Sequence, residues 1–254
     1  MDLHSLRTDA DRSGWIVAVV VRLLAHLEKA LGVWIYRVNV RLLGESPAKP
    51  HRVPEGITIR ALTEADLLEA STDRELYLDP DFIRGAMARG DLCCGAYLGE
   101  ALVAYTWRAP ATAPFRDDLW VRVKDPLHYV YKSFTRPEHR GKGLHIALTR
   151  DADSYMLKAG RPAEVGFIDI SNVQSLGAAR SLGRRKIGWA GYTRVFGRCY
   201  MFRSGGVKDA GAEFFVPESR QADVSAPATA SVSPAAAVAQ AAAEAISPPV
   251  QTGV

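Results

Sequence analysis

The chain has 254 residues, of which 48% are hydrophobic and 24% charged, and its formal net charge is +4. This length and composition are ordinary for a globular protein with one substantial domain and extensions. The three cysteines, Cys93, Cys94 and Cys199, include one adjacent pair and an odd total, which argues against a disulfide framework and favours a reducing, cytoplasmic setting.

The N-terminal segment predicts a helix over Ser13–Leu31 and a strand over Val33–Arg41, followed by a linker at Ser46–Pro50. Acidic residues before the apolar stretch argue against a secretory signal, and charges within it argue against a membrane-spanning helix. The helix is interpreted as an extension packed on the main domain. The alternative is a peripheral membrane contact through its apolar side chains.

The next part of the chain predicts short, alternating elements. Thr63-Glu64-Ala65-Asp66 has the capping-box pattern of a helix start. The other predicted elements are a strand at Ile57–Arg60, a helix at Pro80–Met87, a hairpin formed by Leu92–Leu98 and Ala101–Trp107, and a strand at Trp120–Val123. Pro110 and Pro114 indicate a loop between the last two.

The most informative segment is Thr135–His145. An apolar, aromatic strand precedes it at Leu127–Phe134, and a segment with helical spacing follows at Leu144–Ala159. Such a strand–turn–helix leaves backbone N–H groups unpaired at the helix N-terminus, where an anion such as a phosphate can bind. Gly141 and Gly143 allow close approach because they lack a Cβ.

Two further charges, on Arg140 and Lys142, lie in the same turn. A tight basic turn without a ligand is the alternative interpretation of an isolated Gly-x-Gly. The flanking strand and helix favour a phosphate site over that alternative.

The run Pro137–Gly143 resembles the acyl-CoA pyrophosphate loop of the GNAT superfamily of N-acetyltransferases. The family pattern is Arg/Gln-x-x-Gly-x-Gly/Ala, and Glu138 departs from its first position. A strand at Glu164–Ser171, then Asn172, then a helix at Val173–Leu182 follow in the family's order.

The resemblance covers roughly residues 55 to 204. It implies an α/β fold with a single mixed, mostly antiparallel sheet flanked by helices. It also implies acetyl-CoA or another acyl-CoA as co-substrate, and no metal. The cofactor-binding residues that it implies are Phe134 and Thr135 through their N–H groups, the loop residues Arg140, Gly141, Lys142, Gly143 and Leu144, and Asn172.

The general acid departs from the family. Many members carry a tyrosine seven residues after the asparagine that begins this last helix. That asparagine is Asn172 here, and the position of the tyrosine is occupied by Ala179. Tyr131 and Tyr129 are the substitutes that we expect, on one strand face with Ser133 and Thr135. Two alternatives stay open: solvent protonates the thiolate, or the chain binds acyl-CoA without catalysing transfer. The two tyrosines could also be purely structural residues of the core.

The C-terminal part predicts a hairpin of Ile187–Val195 and Cys199–Arg203, and then a tail rich in Ala, Pro and Ser that we expect to be disordered. Residues 180–208 hold eight basic residues and no acidic one, which favours an anionic partner or a solvated basic face. No motif for nucleic acid accompanies them. The expected organisation is an extension over 1–50, an acyltransferase domain over 51–208 and a disordered tail over 209–254.

The function expected from the resemblance is transfer of an acetyl or other acyl group from coenzyme A to a primary amine. The acceptor would be a small molecule or a surface-polymer precursor. The alternatives are transfer of a longer acyl chain at a membrane surface, with an acyl carrier protein as partner, and a non-catalytic acyl-CoA-sensing module.

Overall fold

The computed structural model describes residues 32–44, 53–116, 118–196 and 198–217. The predicted N-terminal helix, the predicted linker at 46–50 and the tail after residue 217 lie outside these residues. The elements in chain order are β1 (Val33–Leu42), β2 (Ile57–Ala61), α1 (Glu64–Ala70), α2 (Pro80–Ala88), β3 (Leu92–Leu98), β4 (Ala101–Ala109), β5 (Thr112–Arg116), β6 (Leu119–Val123), β7 (Leu127–Thr135), α3 (Leu144–Lys158), β8 (Ala163–Asp169), α4 (Val173–Ser181), β9 (Arg185–Val195), β10 (Arg198–Arg203), α5 (Gly205–Asp209) and β11 (Ala212–Phe215). Short 3-10 turns lie at Arg74–Leu76 and Pro137–His139.

The chain divides into two compact units. The first contains the described residues of Met1–Arg41 and Val165–Phe215, and the second those of Leu42–Glu164 and Val216–Val254.

The second unit is built on four strands in the order β7-β4-β3-β2, each antiparallel to its neighbour. Helix α3 covers one face of them through a stripe with helical spacing, formed by Leu144, Leu148, Ala152 and Met156. All four are buried against small residues of the strands, such as Cys94 and Ala96. This packing fixes the start of α3 at the end of β7.

Helices α1 and α2 begin with side-chain caps, as their sequences predict. At α1 the Thr63 hydroxyl accepts from the N–H of Asp66, and the Asp66 carboxylate accepts from the N–H of Thr63. At α2 Asp79 accepts from the N–H of Phe82, with Pro80 in the first turn. Caps of this kind satisfy the donors that a helix start otherwise leaves unused.

The first unit has its strands in the order β10-β9-β1-β8. Strand β1 alternates as predicted, and its partners on β9 set Trp34 opposite Tyr192 and Tyr36 opposite Ala190. The ring of Trp34 stacks on that of Tyr192 with centroids 4.9 Å apart. These aromatic residues form the core of the unit with Phe214 of β11.

The fold class predicted from the sequence, mixed α/β with mostly antiparallel strands flanked by helices, is confirmed. Two expectations are wrong. Pro110 and Pro114 do not mark a loop throughout, because Thr112–Arg116 pairs with β6 as β5 and buries Ala113. A proline fits such a strand where its missing N–H is not needed by a neighbour. The boundary at residue 208 is too early, because β11 buries Ala212 and Phe214.

Candidate cofactor and active site

The turn between β7 and α3 has the backbone that its two glycines predict. Gly141 and Gly143 both have φ of 75°, in the left-handed region that residues with a Cβ rarely adopt. Gly143 is the N-cap of α3, and no side chain caps this helix. A Cβ added at Gly141 would meet no atom within 4 Å, so the turn is open on that side.

Four consecutive backbone donors are unused in this turn. No hydrogen bond within the described residues engages the N–H groups of Gly141, Lys142, Gly143 or Leu144. The N–H groups before them do bond inside the turn, since His139 donates to the oxygen of Arg136 at 2.9 Å and Arg140 to that of Pro137 at 3.2 Å. The turn is therefore self-supporting up to Arg140. Of the four donors that follow, those of Gly141, Lys142 and Gly143 belong to residues open to solvent and can meet an anion, whereas Leu144 is buried.

The side chains around these donors are cationic and exposed. Lys142 and Arg140 are exposed, and the Arg140 Nε donates to the backbone oxygen of Thr135 at 3.0 Å. This bond holds the guanidinium beside the end of β7. Glu138, the departure from the family pattern, is also exposed, and its carboxylate lies 4.0 Å from the His139 ring.

Arg136 anchors the start of the turn, and the sequence did not single it out. Its N–H donates to the oxygen of Val103 at 2.9 Å and its Nε to that of Leu102 at 3.0 Å. Its guanidinium also pairs with Asp73 and Glu75 of the first 3-10 turn, and it holds the pKa of Asp73 below its usual value. An arginine before a proline at the end of a strand carries no signal for such an anchor.

Strand β7 contains a bulge just before the turn. Trp107 of β4 faces Tyr131 and Thr106 faces Ser133, so Lys132 has no partner in the register. Lys132 has φ of 37°, which marks the irregularity in the backbone. An extra residue of this kind interrupts the ladder and re-aims the residues that follow.

The bulge corrects the expectation that Tyr129, Tyr131, Ser133 and Thr135 share a face. Side chains that are opposite in register share a face, and neighbours along β4 alternate. Tyr131 is therefore on the face of Trp107, and Ser133 is on the opposite face with Thr106, where the two hydroxyls lie 2.7 Å apart. Thr135 is on the same face as Ser133. Phe134, which lies opposite Tyr105, is on the same face as Tyr129 and Tyr131.

Tyr131 lies in a buried polar cluster. Its hydroxyl donates to the Asp91 Oδ2 at 2.6 Å, and the same oxygen accepts from Arg89 at 2.7 Å. Burial raises the pKa of Asp91 to about 6 and outweighs the opposing effects of Arg89 and Tyr131. Burial and the neighbouring carboxylate also raise the pKa of Tyr131. Tyr129 is buried beside them, with its ring stacked 5.5 Å from that of Tyr131.

Only one of the two Asp91 carboxyl oxygens, Oδ2, accepts hydrogen bonds from the described residues. Its side chain is fully buried, and its Oδ1 has no hydrogen-bond partner among the described residues. A buried carboxylate oxygen without a donor disfavours the charged form. Asp91 and Tyr131 are therefore two oxygen acids that share one short hydrogen bond and bind their protons more tightly than in water.

Asn172 and Ala179 lie in the other unit, on α4. Asn172 is the N-cap of this helix, and its Oδ1 accepts from the N–H of Ser175 at 3.0 Å. Ala179 is buried in the same helix at 2% exposure. Phe134 and Thr135, by contrast, adjoin the loop on β7. The cofactor-binding role of Asn172 stays a prediction, beside a capping role that its contacts establish.

The described residues lack both a metal-binding cluster and a membrane-spanning helix. They contain no group of three or more His, Cys, Asp or Glu side chains placed to hold a metal ion. Among these same residues, every helix is too short or too polar to cross a membrane.

Comparisons with known proteins find similar structures but no similar family model. No protein-family model matches the chain, and no curated protein is similar to it. Solved structures that are similar include an aminoglycoside acetyltransferase from an uncultured soil metagenomic sample, at 15% identity over 52% of this chain and 90% of that one, with a TM-score of 0.40.

Two more have named organisms. A GCN5-related N-acetyltransferase from Kribbella flavida is 18% identical over 64% of this chain and 60% of its own, with a TM-score of 0.39. An aminoglycoside 6'-N-acetyltransferase from Acinetobacter haemolyticus is 19% identical over 50% of this chain and 89% of its own, with a TM-score of 0.38. Proteins described as N-acetyltransferases thus recur among the structures similar to this chain.

Proposed function

We propose that this protein is an acyl-CoA-dependent N-acyltransferase and that the turn Arg140–Leu144 binds the pyrophosphate of coenzyme A. The observation that carries the proposal is the row of four unused N–H groups at the uncapped start of α3. A diphosphate has several anionic oxygens that require donors. Consecutive amides at a helix N-terminus supply such donors together with a partial positive charge.

The open side of Gly141 supports this assignment. The backbone there can approach a phosphate closely because no side chain of the described residues lies within 4 Å of the missing Cβ. The exposed charges of Arg140 and Lys142 add attraction at the same place.

The end of β7 supports a place for the thioester. Successive N–H groups of an antiparallel strand point alternately toward and away from the partner strand. Only one of the N–H groups of Phe134 and Thr135 can therefore face away from β4 toward a substrate. That donor would polarise the thioester carbonyl as negative charge develops on its oxygen.

The proposed reaction is attack of a neutral amine on the thioester carbonyl. A carbon–nitrogen bond forms, the carbon–sulfur bond breaks, the nitrogen loses one proton, and the leaving thiolate takes one. We assign the proton handling to Tyr131 with Asp91 as its partner. The 2.6 Å hydrogen bond between them supports this role. Asp91, whose pKa is raised to about 6, is the member of the pair that can gain and lose a proton near neutral pH, because the pKa of Tyr131 is raised away from it. The acceptor amine is proposed to belong to a small molecule.

A test of the cofactor site compares two glycines that flank helix α3. Gly141→Val and Gly160→Val each place a Cβ where φ is near 75° and no atom lies within 4 Å. Gly160 follows the far end of α3, roughly 22 Å away for a helix of 15 residues. Both variants should lose similar stability. Only Gly141→Val should weaken acetyl-CoA binding in calorimetry, by at least about tenfold, because the side chain occupies the phosphate approach.

Failure of the wild-type protein to bind acetyl-CoA, longer acyl-CoAs or free CoA would overturn the proposal. Equal affinity of the two glycine variants would overturn the assignment of the loop. Buried Ala179, at the place of the usual tyrosine, favours one second candidate, an acyl-CoA-binding module without transfer. Release of free thiol from acetyl-CoA, measured with a panel of primary amines, separates the two candidates.

A further inference from the structure

The hairpin of β9 and β10 exposes an unusual share of large apolar side chains. Twelve such side chains are exposed among the described residues, and six of them lie on this hairpin. They are Trp189, Val195, Phe196, Tyr200, Met201 and Phe202. Phe196, in the turn, is fully exposed at 101%. Concentration of this kind marks an interaction surface rather than scattered surface residues.

The exposed residues do not share one flat face. Phe202 lies opposite Gly191 in the register and Tyr200 opposite Thr193, so both are on one face of the hairpin. Met201 lies opposite Tyr192 and is therefore on the other face. Phe196 projects from the turn between them. A flat protein partner would cover only one of these faces, whereas a fluid lipid surface surrounds an inserted turn on all sides.

The charges of this region are of one sign. Residues 180–208 carry eight basic side chains and no acidic one. The Glu213 carboxylate of β11 pairs with Arg203 at 2.9 Å, at the base of the hairpin. Arg194 and Arg198, next to the turn, are exposed. The positive charge is therefore presented at the apolar end of the hairpin, where an anionic partner would meet it.

We propose that the β9–β10 turn inserts into an anionic lipid surface. Phe196 and Val195 would enter the boundary between headgroups and acyl chains, and Arg194 and Arg198 would contact the lipid phosphates. A strand rises about 3.3 Å per residue, so these cations lie within roughly 7 Å of Phe196 along the hairpin. This spacing matches the depth of about 5–10 Å to which interfacial elements are buried.

The experiment uses the full chain with vesicles of phosphatidylcholine alone and of phosphatidylcholine mixed with phosphatidylglycerol, in a sedimentation assay. The wild-type protein should bind the mixed vesicles more tightly, and added salt should weaken the binding. Phe196→Asn should weaken it about tenfold through loss of apolar insertion. Asparagine suits this site because it tolerates the left-handed backbone, and φ of Phe196 is 49°.

A charge variant and two matched controls complete the test. Arg198→Glu should also weaken binding to mixed vesicles about tenfold, because each cation near an anionic surface contributes on this scale. Leu157→Ser and Lys158→Glu change an exposed apolar residue and an exposed cation at the end of α3. Both controls should bind like the wild type.

Three results would overturn the proposal. The first is no binding to mixed vesicles, and the second is binding that Phe196→Asn and Arg198→Glu leave unchanged. The third is binding by the hairpin to an acidic protein or to duplex DNA, lost in the same variants, in a chain that ignores both kinds of vesicle. The acyl-CoA affinity of all four variants should equal that of the wild type, so this test is independent of the proposed transferase activity.

Discussion

The second unit contains two polar regions that are built in opposite ways. The turn at 140–144 is exposed over its first three residues, uses backbone donors and leaves those of residues 141–144 unpaired within the described residues. The cluster of Arg89, Asp91 and Tyr131 is buried, uses side chains and pairs them closely. Open backbone donors suit binding of an anion from solution, whereas a buried pair of acids suits retention of a proton. The proposed cofactor binding and the proposed proton handling therefore depend on different residues and can be changed separately.

The buried carboxyl of Asp91 should make the stability of this protein depend on pH. Asp91→Asn should remove a pH dependence of stability, because the pKa of Asp91 is raised from 3.8 to about 6 in the folded state. The folded state retains the proton that the unfolded chain has lost, so the wild type loses stability as pH rises through this interval. The loss should be about 3 kcal/mol. Urea unfolding of both proteins between about pH 4 and pH 7 measures it.

The control is Asp81→Asn, whose carboxylate is 93% exposed and pairs with Arg84 on the surface. It should leave the pH profile of the wild type unchanged. A constant difference in stability between Asp91→Asn and the wild type across this range would contradict the interpretation.

Arg136 supports the open turn without contributing to its four unused donors. Arg136→Ala removes the pairing with Asp73 and Glu75 and the bond to the oxygen of Leu102. Hydrogen bonds to charged groups contribute on this scale, so the free energy of unfolding should fall by about 2 kcal/mol. Acetyl-CoA affinity should fall several-fold, because only the backbone bond of residue 136 to Val103 still holds the start of the turn to β4.

Arg84→Ala is the matched variant, since Arg84 makes a surface pair with Asp81 and is 57% exposed. Its cost should stay below about 1 kcal/mol. Urea unfolding and calorimetry with acetyl-CoA give both readouts. An Arg136→Ala protein with wild-type affinity would show that the turn holds its shape unaided.

Helix α1 has an ordinary capped start, and loss of its cap should cost less stability than either change above. Thr63→Ala removes the cap of α1 and should cost about 1 kcal/mol of stability, with no change in acetyl-CoA affinity. Asn172→Ala removes the cap of α4 at a similar cost. If Asn172 also binds the cofactor, its variant should lose affinity as well. Equal affinity in the two variants would limit Asn172 to capping.

The sequence predicted those features that repeat with a period or end at a distinctive residue. The apolar stripe of α3, the capping box at Thr63 and the glycine pair at 141 and 143 all belong to this group. Strand β5 was missed because Pro114 is more often a loop signal, and only pairing with β6 reveals its place. The end of the folded part was placed too early because β11 is a strand of only four residues.

The candidate site could be predicted only in its backbone part. The glycine pair indicates an open turn directly. The bulge at Lys132 has no such signal, since a lysine with φ of 37° is set by the surrounding strands. For this reason the faces of Ser133 and Thr135 relative to the tyrosines were assigned wrongly. Asp91 lies 40 residues from Tyr131 in sequence, so their hydrogen bond could not be read from local spacing.

If the turn binds a diphosphate as proposed, the missing side-chain cap of α3 would couple ligand binding to the stability of the folded protein. Thr63, Asp79 and Asn172 supply oxygen atoms for the starts of their own helices, and α3 has neither such an atom nor an acidic residue in its first turn. A bound diphosphate would therefore act as the N-terminal cap of α3 by accepting hydrogen bonds from its unused N–H groups. A ligand at a free concentration one hundred times its dissociation constant adds about 2.7 kcal/mol to the free energy of unfolding. Resistance to heat and to proteases would then rise and fall with the cell's supply of coenzyme A.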